Sequence, residues 1–435
     1  MKFARLFLIT LAMSVGATAA ALADRLTIAT VNNGDMIRMQ KLSTYFTAEN
    51  PEIELQWVTL DENALRRQVT NDIATGSGHY DIMTIGTYEV PIWGRRGWLA
   101  PLDDLPASYD AEDLLPAIRD GLSVDGKLYA APFYGESSMV MYRTDLMEKA
   151  GLIMPEAPDW QFIRKAALAL TDRDAGINGI CLRGKAGWGE NVAFLTAASN
   201  SFGAKWFDMA WRPQFDSPEW KETLSYYIEL LNESGPPDAA QNGFNENLAL
   251  FQSGKCGIWI DATVAASFVT NPATSQVAGK VGFALAPDHG LGKRSNWLWA
   301  WALAIPISTP NTDAAKKFIE WATSKDYQAL VAEKEGWANV PPGTRTSLYE
   351  NAEYAKLAFA KMTLDSITGA DPLDPTIDEV PYVGIQFVSI PEFQRIATAV
   401  GQQFSAALAG RISIDDALGN AQALTTREMK RTGYN

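Results

Sequence analysis

Histidine and cysteine are almost missing from this chain: 435 residues contain two of each. His79, His289, Cys181 and Cys256 are too scattered to build a Cys/His zinc cluster. A histidine-dependent triad would have to use His79 or His289, and neither sits in a recognisable setting. The G-x-S-x-G, H-E-x-x-H and G-x-G-x-x-G patterns do not occur. Basic charge is also short, with Lys+Arg 37 against Asp+Glu 51 and a net charge of -14. Nucleic acid needs a basic face and an anionic membrane surface needs the same, so both partners are disfavoured. No run reaches the ~20 apolar residues that span a bilayer. The longest internal candidate, residues 297–307, has the length of a buried strand. General disorder is excluded, because hydrophobic residues make up 47% and charged residues 20%, which are globular values. At about 100–200 residues per domain, the length implies two or three domains.

The first 23 residues read as an address. Lys2 and Arg5 precede a short apolar stretch at 6–15, and Ala21-Leu22-Ala23 is an A-x-A cleavage site. This predicts a secretory signal peptide cut before Asp24. No cysteine follows the apolar stretch, so no lipid anchor is expected, and the product should reside in the periplasm. An oxidising compartment makes a Cys181–Cys256 disulfide the expected state, with two buried thiols as the alternative.

An α/β rhythm follows. Residues 26–31 predict a strand, and Met36, Met39, Leu42 and Phe46 predict a helix. Ile53, Leu55 and Trp57 then alternate with polar residues as in a strand. A helix over 62–75 and a strand over 81–85 complete a βαβ pattern, and hence a parallel sheet. Ligands of open α/β sheets bind beyond the carboxyl ends of strands, which singles out the loops at 32–35 and 86–89. The run Leu128-Tyr129-Ala130-Ala131-Pro132 leads into Phe133-Tyr134-Gly135-Glu136, which reads as a crossover between lobes. The α/β pattern restarts at Asp159, and the chain beyond Asp313 is mostly helical.

Several segments could carry chemistry. Gly179–Lys185 and Gly121–Lys127 match G-x-x-x-x-G-K but lack the Ser/Thr that would hold Mg²⁺, so Gly-rich turns are the ordinary reading. Asp172 to Asn178 alternates oxygen ligands, but Gly and Glu are misplaced for a calcium loop, which favours a polar turn. Gly187-Trp188-Gly189-Glu190-Asn191 offers an aromatic face beside a carboxylate and an amide, the mixture a polyhydroxylated ligand requires. Trp259 and Asp261 share a strand face, with Asp261 either in a site or capping the next helix. Trp297, Trp299 and Trp301 also share a face. They read equally as core or as the wall of a polar-lined cavity, with Trp297 and Trp299 nearer a ligand than Trp301. Glu89, Glu136, Glu190 and Asp261 would also suit a glycosidase acid and base.

Three runs closely resemble family 1 extracellular solute-binding proteins of ABC importers. They are Leu128-Tyr129-Ala130-Ala131-Pro132, Val140-Met141-Tyr142-Arg143-Thr144-Asp145-Leu146 and Lys149-Ala150-Gly151-Leu152. Phe251-x-Ser253-Gly254-Lys255-Cys256, Ala302-Leu303-Ala304-Ile305-Pro306 and the stretch from Gly410 to Leu418 extend the likeness to nearly the whole mature chain. Phe133 to Ser137, Gly187 to Asn191, Trp259 to Thr263 and Pro341-Pro342-Gly343-Thr344-Arg345 look like the sorbitol/mannitol receptors of polyol transporters. Asp159 before Trp160 departs from the usual Thr, at a helix cap.

The resemblance implies an α/β fold of two lobes, type II-like, with a ligand cleft between them. Lobe 1 would be 24–133 plus about 305–340, and lobe 2 would be 134–304 plus about 341–435. It implies capture of a linear polyol, delivery to permease subunits of the inner membrane, a monomer, no cofactor and no reaction. A mono- or disaccharide receptor is the alternative, and an exported hydrolase a more distant one. Trp188 and Trp299 would flank the carbon chain. Glu136, Glu190 and Asp261 would accept hydrogen bonds from hydroxyls, and Asn33, Asn191 and Arg345 would donate. Asp35, Tyr88, Glu89, Tyr134 and Trp297 would complete the lining.

Overall fold

The computed structural model describes residues 24–434; the signal-peptide segment lies outside them. β1 (Asp24–Val31) and β2 (Ile53–Leu60) pair in parallel around α1 (Gly34–Glu49). α1 buries Met36, Met39, Leu42 and Phe46, one stripe at helical spacing. α2 (Glu62–Thr75) starts where Asp61 accepts a hydrogen bond from Ala64 N, and stops at Gly76 with φ 63°. That left-handed cap is one glycine adopts without a Cβ penalty. β3 (Ile82–Gly86) follows, fully buried, and runs into the short helix α3 (Glu89–Arg95).

After a two-stranded ribbon, β4 (Ser123–Val124) and β5 (Lys127–Leu128), the chain enters β6 (Ala130–Glu136) and crosses at Ser137 to β7 (Ser138–Arg143). The second half supplies β8 (Asn178–Cys181), β9 (Cys256–Ala262), β10 (Val281–Leu285) and β11 (Trp299–Ala304). Two main sheets result, ordered β2-β1-β3-β11-β6 and β10-β7-β9-β8. Each forms one lobe of a two-lobe α/β molecule.

β11 corrects one expected boundary. It lies antiparallel between β3 and β6, with Leu303 opposite Thr84 on one side and Ala131 on the other. The return crossing therefore precedes Trp299 rather than following Ala304. The chain then stays with the first lobe through Arg345: Pro342 O accepts from Gly135 N, and Thr344 O from Leu115 N. Helices Phe393–Leu408 and Ile414–Thr432 close the second lobe.

Asp159 accepts a 2.6 Å hydrogen bond from Phe162 N, so it caps the helix Trp160–Leu170 as a Thr would. Cys181 and Cys256 are joined by a disulfide with Cα atoms 6.1 Å apart, tying β8 to β9. Among the described residues no helix is long and apolar enough to cross a membrane.

Candidate functional site

The carboxyl ends of β1 and β3 in one lobe face those of β8 and β9 in the other, and a cavity lies between them. Asn33 follows β1, Arg183 follows β8, Ala262 ends β9 and Val264 follows it; all four line the cavity. Trp297, Trp299 and Trp301 form one wall, Trp188 another, and Tyr134 and Glu136 project from β6. About 460 Å³ of the space is free of atoms, part of it open to solvent.

The lobes are closed on each other. Asn63 Nδ2 on α2 donates to Ala186 O of the opposite lobe at 3.2 Å. The Trp188 loop comes so near α2 that a Cβ on Gly189 would collide with the Glu62 carboxylate and sit 3.0 Å from Arg66 Nε. The loop's glycines therefore serve the meeting of the lobes as well as the display of Trp188.

Two arginines organise the interior. Arg66 donates to Glu62 from Nε (3.0 Å) and Nη2 (2.8 Å), and to Glu89 from Nη1 (2.9 Å). Its guanidinium lies 3.8 Å from the ring centre of Trp188, 4.8 Å from Trp299 and 4.7 Å from Trp301. One lobe thus supplies a fixed cation onto which the other lobe's indole closes. Arg183 is held by Asp261, with Nη2 at 2.6 Å and Nε at 3.0 and 3.1 Å, and its Nη1 donates to Gly189 O at 2.8 Å. Burial pulls the Arg183 pKa down, but Asp261 and Glu190 more than offset it, so the residue stays cationic.

Glu136 is the exception. It is 6% exposed and has no hydrogen-bond or ion-pair partner among the described residues. Burial pushes its carboxyl up to about 8; Asp261 and Glu62 add to this and Arg183 and Arg66 oppose it. The Nε1 atoms of Trp188 and Trp299 are also buried without partners. Asn33 Nδ2 donates to Tyr134 OH at 2.9 Å.

Seven of the thirteen residues expected in the cleft are thus brought together or placed against it: Asn33, Tyr134, Glu136, Trp188, Trp297 and Trp299 line it, and Asp261 lies directly behind Arg183. The remaining six are set back. Tyr88 packs its ring 4.9 Å from that of Trp188 and donates from OH to Ile390 O at 3.0 Å. Glu89 holds Arg66 and accepts from Gly86 N at 3.0 Å; burial raises its pKa, against Arg66. Glu190 stands 3.8 Å from both Arg183 and Lys185. Burial and then Glu62 push its carboxyl up to about 7. Asn191 spends its amide on Gly187 N and Gly401 O, pinning the loop to a lobe-2 helix. Asp35 pairs with Arg38 at the start of α1.

Arg345 is a correction: it does not reach the cavity. It is fully buried in the first lobe, where it donates to Asp110 O (3.0 Å) and Thr323 O (3.2 Å) and lies 3.6 Å from Asp113. Asp261 is also saturated. Besides Arg183 it accepts from Trp259 Nε1 at 3.1 Å and Ala262 N at 2.7 Å, so its contact with a ligand would run through Arg183. Trp301 lines the cavity together with Trp297 and Trp299.

Four polar lining residues escaped the sequence reading: Glu62, Arg66, Arg183 and Gln386. Glu62 and Arg66 are spaced as an ordinary surface pair on a helix, and Arg183 looked like the end of a strand. Gln386 comes from an aperiodic segment and grips the Leu298 backbone, donating to its O at 2.8 Å and accepting from its N at 3.3 Å. That grip sets the indoles of Trp297 and Trp299 on either side. The other motifs are otherwise used. Gly184 N and Lys185 N both donate to Asn242 O, which leaves no amide nest for phosphate. Asp172 Oδ1 accepts from Ala175 N within a turn. No group of His, Cys, Asp or Glu among the described residues could hold a metal ion.

The profile of the family described as bacterial extracellular solute-binding protein matches residues 33–329. The mannitol-binding protein of Pseudomonas aeruginosa is 57% identical over 412 residues, 95% of this chain and 94% of that one. The crystal structure of an ABC transporter solute-binding protein from Agrobacterium vitis S4, with bound D-mannitol, superposes with a TM-score of 0.94 at 69% identity. It covers 94% of this chain and 99% of that one. A solute-binding protein from Agrobacterium radiobacter K84 in complex with ribitol gives a TM-score of 0.82 at 25% identity, over 93% of this chain and 99% of that one.

Proposed function

Because the chain belongs to the bacterial extracellular solute-binding protein family, we propose that it is the receptor of an ABC importer that captures a linear alditol, D-mannitol first among them. The observation that carries this is the unspent hydrogen-bonding capacity of a small, aromatic-walled cavity: the Glu136 carboxyl and the indole N–H groups of Trp188 and Trp299. An alditol has a hydroxyl on every carbon and C–H faces between them. Indoles cover the C–H surface while the polar groups pair hydroxyls that have left water. A flexible alditol loses several rotors on ordering, so charge-assisted hydrogen bonds are needed to offset that entropy.

The arginines act through their fixed positions. Arg66 and Arg183 are each clamped by carboxylates, so they present remaining N–H groups without having to reorganise. Closure of the Trp188 loop onto α2 then seals the ligand, and the closed pair of lobes is the form offered to the permease. Export to the periplasm is part of the same reading. The relatives bind ligands and carry no reaction into the proposal.

Isothermal titration of mature protein, stripped of ligand by unfolding and refolding, tests it. The panel is D-mannitol, sorbitol, arabitol, ribitol, glucose and maltose. Saturable heat with an alditol at micromolar Kd, about -8 kcal/mol, is expected. Binding of maltose alone would discard the alditol assignment, and silence throughout would discard the receptor.

A further inference from the structure

Glu136 differs from every other acid of the cleft. Glu62 and Glu89 hold Arg66, while Asp261 holds Arg183. Glu190 is 3.8 Å from Arg183 and from Lys185. The two guanidiniums are therefore already matched by the carboxylates of Glu62, Glu89 and Asp261, before Glu190, which burial pushes up to about 7, is counted. An ionised Glu136 would bring a further negative charge, with no cation left for it, into the space between them.

The groups facing it come from every surrounding element. Glu62 and Arg66 approach from α2, Arg183 from the end of β8 and Asp261 from β9. Tyr134, on its own strand, has its hydroxyl already engaged by Asn33. None is within hydrogen-bond distance of the Glu136 carboxyl. A buried ion without a partner costs far more than a buried neutral acid.

We infer that Glu136 enters the closed, liganded cleft as a neutral carboxylic acid, giving the ligand a donor as well as an acceptor, so that capture takes up a proton. The inference deepens the alditol-receptor reading and rests on it. An ionised carboxylate only accepts; the protonated acid donates O–H to a hydroxyl lone pair and accepts from a second hydroxyl. Alditol hydroxyls, being donors and acceptors at once, fit both. The proton comes from solvent and goes to a Glu136 carboxyl oxygen, and no other bond changes. A second consequence is selectivity. A sugar acid such as mannonate would restore the excess negative charge, so the cleft rejects it.

The sign follows from linkage. With a solvated carboxyl at its ordinary 4.5 as the reference for an open cleft, closure raises Glu136 to about 8. At pH 7 closure then takes up about 0.9 proton, and affinity falls roughly 50-fold between pH 6 and pH 8.

D-Mannitol titrations at pH 7 in phosphate and in Tris, whose ionisation heats differ widely, count the protons. Wild type is expected to take up close to one proton more than Glu136→Gln, in which only Glu190, raised to about 7, remains to take up part of a proton. Wild-type binding heat that does not depend on buffer overturns the inference, as does uptake in Glu136→Gln equal to that of wild type. If that variant fails to fold, the wild-type Kd from pH 6 to pH 8 decides alone, and a flat series refutes it. Silence with every alditol would instead refute the receptor reading beneath it.

Discussion

Replacing Gly189 by alanine would load the point where the lobes meet. The added methyl would collide with the Glu62 carboxylate and approach Arg66 Nε and Nη2 to 3.0 Å each. Glu62 cannot simply swing aside, because it is fixed by two hydrogen bonds from Arg66 at 3.0 and 2.8 Å. Relief comes by giving up part of that pairing or by stopping closure short. Hydrogen bonds to charged groups are worth about 1.5–3 kcal/mol, so a penalty of about 2 kcal/mol is expected, present only in the closed form. This translates to roughly 30-fold weaker D-mannitol binding. The open lobes never make the contact, so the unliganded protein should unfold at the wild-type temperature. Titration calorimetry gives the affinity, and small-angle scattering with and without mannitol reports closure. Wild-type affinity together with wild-type compaction would refute the argument. A lowered melting temperature without ligand would show that Gly189 matters inside its own lobe instead.

Asp261→Ala strands the buried Arg183 guanidinium, so it should cost about 3–5 kcal/mol of stability as well as affinity; a calorimetric melting curve that matches wild type would contradict the pairing. Trp299→Phe keeps the aromatic wall but deletes an indole N–H, and should weaken alditol binding about fivefold, near 1 kcal/mol, with little change in melting temperature. Unchanged affinity would take that N–H out of ligand contact. Reducing the disulfide frees a loop whose ends are 75 residues apart. The chain-entropy relation puts this at about 4 kcal/mol, and an unchanged unfolding midpoint after verified reduction would refute it.

The first lobe was legible because its elements bury one regular stripe or alternate faces. The Met36, Met39, Leu42 and Phe46 series and the turn after β1 locate α1 without any tertiary information. The aromatic cleft residues were legible for a different reason: Trp188 between two glycines and three alternating tryptophans have few uses. Arg66 and Arg183 were not, since the value of an arginine there depends on which acids and rings the fold brings from 20 to 230 residues away. Glu62 and Arg66 carry the spacing of a surface pair, and only the approach of the other lobe buries them. Arg345 failed in the opposite way. The resemblance carried it into the cleft by position, while its partners, Asp110, Thr323 and Asp113, hold it inside the first lobe. The position of β11 was equally hidden, because an all-buried strand pairs equally well in either sheet.

The position of β11 also governs the order in which the molecule can be built. The first sheet lacks its fourth strand until Trp299–Ala304 arrives, about 160 residues after β6 ends at Glu136. During synthesis the edges of β3 and β6 must stay unpaired while the whole second sheet is made, and long-range pairing of this kind is slow. The second lobe in turn waits for the helix Ile414–Thr432 at the far end of the chain. Neither half can therefore be completed until late in the chain.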